Sequence, residues 1–174
     1  MGTHNALLRL GDSVYVEVIA PNPAAEPPAR PRWFELDRLD QHARPRLAAW
    51  VARTDNIRSA VEECGYRFGP IEAMNRGRFS WLITIPPDGS LPGRGAIPML
   101  MEWTVDEHPA GGLEDHGLRL SQLEIFHSRP RSISELLACL DLGEEVVVRH
   151  SGAGAPRNLV AQIETPAGTR TLSG

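Results

Sequence analysis

Two glutamates stand in the middle of apolar, strand-like runs. Glu17 lies in Val14-Tyr-Val-Glu17-Val-Ile-Ala-Pro21 and Glu102 in Met99-Leu-Met-Glu102-Trp-Thr-Val105. A carboxylate held among apolar side chains suits proton abstraction next to a carbonyl, and it also suits a divalent metal. Paired with an arginine, the same carboxylate would be purely structural. His4 and Asn5 precede Glu17 at the start of a predicted strand. His4 could serve as base or ligand, and Asn5 could donate a hydrogen bond to a substrate oxygen. Alternation places Tyr15, Glu17 and Ile19 on one face of their strand. Trp50, Trp81 and Trp103 alternate with aliphatic residues and either floor a ligand pocket or fill the core. Trp103 adjoins Glu102 and so points to the opposite face. His108 and His116 sit in a loop rich in Gly and acids, 106–117, whose spacing matches no tight metal motif.

The elements that must position these residues fall into units. Ala6 to Leu10 and Val14 to Ala20 read as a hairpin turning at Gly11-Asp12-Ser13. Five prolines between 21 and 32 exclude a central strand or a helix interior. That connector runs into Trp33 to Leu39, predicted as a short helical turn that lays its aromatics on the body of the protein. Next come a strand over Leu47 to Arg53, a helix capped by Asp55 and stopped by Gly65, and strands over Arg67 to Glu72, Phe79 to Ile85 and Met99 to Val105. The order then repeats. Leu118 to Phe126 is a strand, and Ser132 to Leu140 is a helix opened by the capping box Ser132-x-x-Glu135 and ended by Gly143. Strands over Val146 to Arg149, Leu159 to Glu164 and Thr169 to Leu172 follow. The units predicted are a hairpin (1–20), a Pro-rich connector (21–45), a βαβββ module (46–109) and a C-terminal βαβββ-like unit (118–174). A repeated unit of 60 to 70 residues is expected from the likeness of Ser59/Cys64 and Ser134/Cys139, each pair five apart near a helix end.

Composition narrows the functional classes. The chain has 174 residues, enough to bury a sizeable core without a metal or disulfide. Its 18 basic residues, all Arg, face 22 acids for a net charge of -4, which excludes a basic nucleic-acid or anionic-lipid footprint. No apolar run reaches the length of a membrane span. Pro92-Gly-Arg-Gly95 runs into a strand rather than a helix, so it is no phosphate loop, and no Gly-x-Ser-x-Gly elbow is present. Cys64 and Cys139 fit no metal spacing and are too few for a secreted disulfide framework. They are expected as packing residues on apolar helix faces, in a cytoplasmic protein.

The chain resembles the glyoxalase-like branch of the vicinal oxygen chelate superfamily. The residues concerned are Gly2-Thr-His-Asn-Ala-Leu-Leu with Leu10-Gly-Asp, Val16-Glu-Val-Ile-Ala-Pro21, and Pro98-Met-Leu-Met-Glu-Trp103 followed by His108-Pro-Ala110. The resemblance implies an α+β fold in which repeated βαβββ modules form curled mixed sheets around a cup, with the first module truncated at its N-terminus. In family members that are metalloenzymes, a divalent ion is held by a His or Gln early on a module's first strand and a Glu on its last. Glu17 and Glu102 match the Glu positions. The first-strand positions fall near Ala48 and Leu123, which cannot coordinate, so the ligand set is incomplete.

The expected function is therefore binding of a small, largely apolar molecule in a cup, with any chemistry through Glu17 and Glu102 and with His4, Asn5, Tyr15, Trp50 and His108 as ligand-binding residues. The alternatives are a divalent-metal lyase, isomerase or dioxygenase recruiting His4 or His108, and a non-catalytic assembly module with a vestigial cup. A homodimer is expected, because a module without its opening strand leaves a sheet edge to be covered by the C-terminal unit or by a second subunit.

Overall fold

The structure, a computed structural model, describes residues 1–40, 42–143, 145–152 and 159–174. The chain opens with strands β1 (Thr3–Arg9) and β2 (Tyr15–Pro21), antiparallel from Thr3 opposite Pro21 to Arg9 opposite Tyr15. They form a two-stranded sheet of their own. Its outer face carries His4, Ala6, Leu8, Val16 and Val18, the last 63% exposed. The amide of Leu120 donates to the Leu10 carbonyl, but no strand of the C-terminal unit pairs with the hairpin among the described residues. The expected filling of that edge from within the chain is absent there.

The Pro-rich connector leads to a short 3₁₀ segment, Trp33–Arg38, which buries Trp33 and Leu36. The segment is broken by left-handed backbone at Phe34 and Glu35, and the Glu35 amide donates to the Gly89 carbonyl. Gly89 has φ +69°, and a Cβ there would lie 2.1 Å from the Arg32 carbonyl oxygen. Gly89→Ala is expected to cost about 1–3 kcal/mol in a urea melt, since backbone strain and backbone clash act together. A loss below about 0.5 kcal/mol, the scale of an ordinary surface change, would show that the loop yields freely.

Strand β3 (Val51–Arg53), helix α1 (Ile57–Cys64) and strands β4 (Ile71–Arg76), β5 (Phe79–Thr84) and β6 (Met99–Trp103) build the first four-stranded sheet. Its order is β3-β6-β5-β4, with β3 and β6 parallel. The helix is capped by Asn56, whose side chain accepts from the Ser59 amide at 3.1 Å, rather than by Asp55. Gly65, at φ +59°, ends it as expected. The next strand begins four residues later than the apolar pattern suggests, because residues 66–70 first drive Phe68 fully into the core.

The second sheet comprises β7 (Arg119–His127), β8 (Val146–His150), β9 (Leu159–Glu164) and β10 (Arg170–Ser173), with helix α2 (Pro130–Cys139) between β7 and β8. Its order is β10-β9-β7-β8, with β7 parallel to β8. The linear order strand, helix, three strands recurs, but the pairing differs. In the first sheet the opening strand pairs with the last strand, whereas here it lies inside the sheet beside the strand that follows the helix. The expected repeat is thus one of element order only. The helix also starts differently: Pro130 occupies its first turn with no side-chain cap, and Glu135 pairs with Arg131 instead of closing a box with Ser132. Asp141, at φ +58°, turns the chain after α2 before Gly143 is reached.

One core joins the two sheets through their helices. Leu100 and Ala52 of the first sheet, Ile57 and Phe68, Ile133 and Leu137 of α2, and Ile125 and Leu159 of the second sheet pack together. A second cluster on the opposite face of the first sheet gathers Trp33, Leu36, Ile83, Ile85 and Met99. The expectation of two unpaired packing cysteines is corrected here: Cys64 and Cys139, 75 residues apart with Cα atoms separated by 5.7 Å, form a disulfide between the C-terminal ends of α1 and α2. No helix of the described residues is long and apolar enough to cross a membrane.

Candidate functional site

The pleat decides which candidates meet. In β6, Met99, Met101 and Trp103 share the face that packs on the Trp33 cluster, while Leu100 and Glu102 point to the α1 side. Register places Trp81 opposite Trp103 and Ile83 opposite Met101, so the first face is lined by aromatics and sulfur. The hairpin packs on this face through Ile19, which joins the Trp33 cluster with Trp81 and Met101. Asn5, Leu7, Tyr15, Glu17 and Ile19 are on the inward side of the hairpin, and His4 is on the exposed outward side.

Ring contacts then run from hairpin to sheet. The Tyr15 and His108 centroids are 5.6 Å apart, those of His108 and Trp103 5.7 Å, and those of Trp103 and Trp81 5.5 Å. Asn5 Nδ2 donates to Glu17 Oε1 at 2.6 Å. The structure thus brings together Asn5, Tyr15, Glu17 and His108. Beside this wall, where the parallel strands β3 and β6 end, a cleft of about 260 Å³ is lined by Arg53, Thr54, Glu102, Trp103 and His108 among others.

Electrostatics fix the protonation of the wall. Burial, reinforced by the negative charge of Glu17, pushes Tyr15 up to about 12, with Arg76 opposing, so the phenol keeps its proton. Burial, and then the nearby Arg53 charge, hold His108 below the usual imidazole range. Its Nδ1 accepts from the Ala110 amide at 3.2 Å, which leaves the proton of the neutral ring on Nε2. An imidazole that titrates lower when folded takes up its proton in the unfolded chain first. Stability present above pH 6.5 is therefore lost as pH falls toward the depressed value. Urea melts at pH 7.5 and 5.5 should show a larger loss for the native chain than for His108→Gln; equal losses would remove His108 as the cause.

Glu102 stands apart from Glu17. Its Oε2 accepts from the Ile57 amide at 2.8 Å, satisfying one of the open donors at the start of α1, where a negative charge is favoured. Trp50 packs in the core between the sheets and donates to the Ala96 carbonyl at 3.4 Å, away from the hairpin. Arg76 is a participant that sequence reasoning missed. It lies close enough to Tyr15 to influence its ionisation, and it donates to Thr3 Oγ1 at 3.4 Å. It stands at the end of β4, and only the packing of hairpin on sheet brings it to Tyr15.

The donor set does not fit the family's divalent metal. The two carboxylates occupy opposite faces, each already accepts a hydrogen bond, and no group of three or more His, Cys, Asp or Glu among the described residues could hold an ion.

A βαβββ sheet with an aromatic face, covered by a hairpin that carries a carboxylate, defines a mixed α+β protein with its candidate site between the two. The family model described as a glyoxalase-like domain matches residues 1–140, and the chain belongs to that family, within the vicinal oxygen chelate superfamily. No curated protein matches the chain.

Proposed function

We propose that the wall formed by Tyr15, His108 and Trp103 binds a small, largely apolar carbonyl compound and that Glu17 removes a proton beside its carbonyl. The observation that supports this reading is the pairing of opposite capacities at one place. Glu17 is an anionic acceptor oriented by Asn5, while Tyr15 and the Nε2 of His108 are neutral donors. In enolisation, negative charge moves from the carboxylate to the carbonyl oxygen. A base with one oxygen held and the other without a hydrogen bond among the described residues suits the first half of that transfer. Donors that stay protonated at neutral pH suit the second. The aromatic faces of Trp103 and Trp81 supply the apolar surface. Glu102 has a different task in this reading: it holds the start of α1 and borders the cleft from the far side.

The test is a titration with phenylacetone followed by tryptophan emission. Saturable quenching that is weakened at least about tenfold in Tyr15→Ala is expected, in line with the loss of a buried aromatic contact. Quenching unchanged by that substitution would place the ligand elsewhere.

A further inference from the structure

The disulfide between α1 and α2 is not symmetric toward solvent. Cys139 is exposed at the end of α2, whereas Cys64 is half-buried and packs against the core shared by the sheets. A second cleft, about 230 Å³, opens where the residues after α2 approach β3 and α1, and Cys139 lines it while Cys64 does not. The wall of that cleft is fixed around the sulfur. The Leu142 amide donates to the Leu137 carbonyl and the Asp141 amide to that of Ala138, so the end of α2 is locked by a left-handed turn at Asp141. The charged lining is mixed: Arg53, Glu63 and Asp141 all border it. Arg53 is only loosely engaged, 3.5 Å from an exposed Asp55.

We propose that this cleft is the entrance for a small zwitterionic thiol, of amino-acid or short-peptide size, which attacks the disulfide at Cys139. The thiolate forms a bond to Cys139 Sγ, the Sγ–Sγ bond breaks, and its electron pair leaves on Cys64 as thiolate, which takes a proton from solvent. A second thiolate then attacks the mixed disulfide at the sulfur of the first thiol. It releases Cys139 as thiolate and leaves the two external thiols joined as a disulfide, so two external thiols are oxidised as the protein's one disulfide is reduced. The order follows from access, because exchange requires approach to the attacked sulfur along the bond that breaks. The zwitterion matches the lining, with its carboxylate toward Arg53 and its ammonium toward Glu63 and Asp141. This cleft shares Arg53 and Thr54 with the one beside the hairpin wall, but only this one is lined by Cys139.

The test uses the oxidised full chain and L-cysteine. Brief exposure to L-cysteine, trapping with N-ethylmaleimide and peptide mass mapping should place the cysteine adduct on Cys139 and the maleimide on Cys64, in at least tenfold excess over the reverse. On a thiolate basis, L-cysteine should react at least threefold faster than 3-mercaptopropionate, which brings only negative charge to Glu63 and Asp141. In the single variants, the thiol left in Cys64→Ser should react with cystine at least tenfold faster than the one left in Cys139→Ser. The adduct on Cys64, equal rates for the two thiols, or two free thiols in the protein as purified would each overturn the assignment. The native-chain mapping stands even if a variant fails to fold.

Discussion

Glu17→Gln should lower protein-dependent exchange of the methylene protons of phenylacetone for deuterium by about 10²–10⁴-fold, the range expected when a positioned general base is removed. Glutamine keeps the shape of the side chain and can still accept from Asn5, whose amide lies 2.6 Å from Glu17 Oε1. Binding to the aromatic wall should therefore change by no more than about twofold, far below the effect on exchange. Glu102→Gln provides the contrast. That carboxylate caps the Ile57 amide on the other face of the sheet, so its substitution should leave exchange nearly intact and cost about 0.5–2 kcal/mol of stability through the weakened helix start. A proton inventory by NMR in deuterated buffer reads the first effect, and a urea melt reads the second. Equal loss of exchange in both variants would mean that the two glutamates act together, which their placement on opposite faces denies.

The second large effect concerns the disulfide. Closing 75 residues of sequence between Cys64 and Cys139 restricts the unfolded chain, and the chain-entropy estimate for a loop of that size is about 4 kcal/mol. Reduction in the folded state should therefore shift the urea midpoint well below that of the oxidised protein, with little change before unfolding in the far-ultraviolet circular dichroism. The effect should be concentrated where the two sheets meet, because the bridge joins the helix of one to the helix of the other. Hydrogen exchange should quicken in α1 and α2 on reduction, while the hairpin β1 and β2, which the bridge does not touch, stays as it was. Coincident midpoints for oxidised and reduced protein would show that the helix packing alone holds the sheets together.

The contrast between what could and could not be read from the chain has physical causes. Alternation in Val14 to Ala20 correctly put Tyr15, Glu17 and Ile19 on one face, because the pleat has a fixed period of two. The same rule separated Trp103 from Glu102. What alternation could not show was which face of the β6 sheet the hairpin would cover. Glu17 and Glu102 therefore looked equivalent in their apolar runs, yet Glu17 lies on the inward side of the hairpin beside Tyr15, whereas Glu102 accepts from the Ile57 amide on the α1 side of β6. The repeat of strand, helix and three strands was visible for a similar reason, whereas the exchange of pairing partners in the second sheet was not. Pairing is decided by contacts far apart in sequence, such as Leu123 with both Val146 and Ala161. The disulfide also lay beyond reach. Ser59/Cys64 and Ser134/Cys139 placed each cysteine near a helix end, but nothing local showed that the two ends lie side by side. Local competition explains the smaller shifts. Asn56 took the cap from Asp55 at the start of α1, and Asp141 turned the chain after α2 before Gly143, as the residues nearer each helix end satisfied the open backbone groups first.

A ligand held against the wall joining hairpin and sheet would touch His108 and Trp103 together. Side-chain NMR of protein labelled in His and Trp, during titration with phenylacetone, reads that contact. Saturable shifts of the His108 and Trp103 ring signals with a common midpoint are expected, while Trp50, half-buried against the core between the sheets, stays unmoved. Shifts at Trp50 with His108 and Trp103 unmoved would contradict that contact.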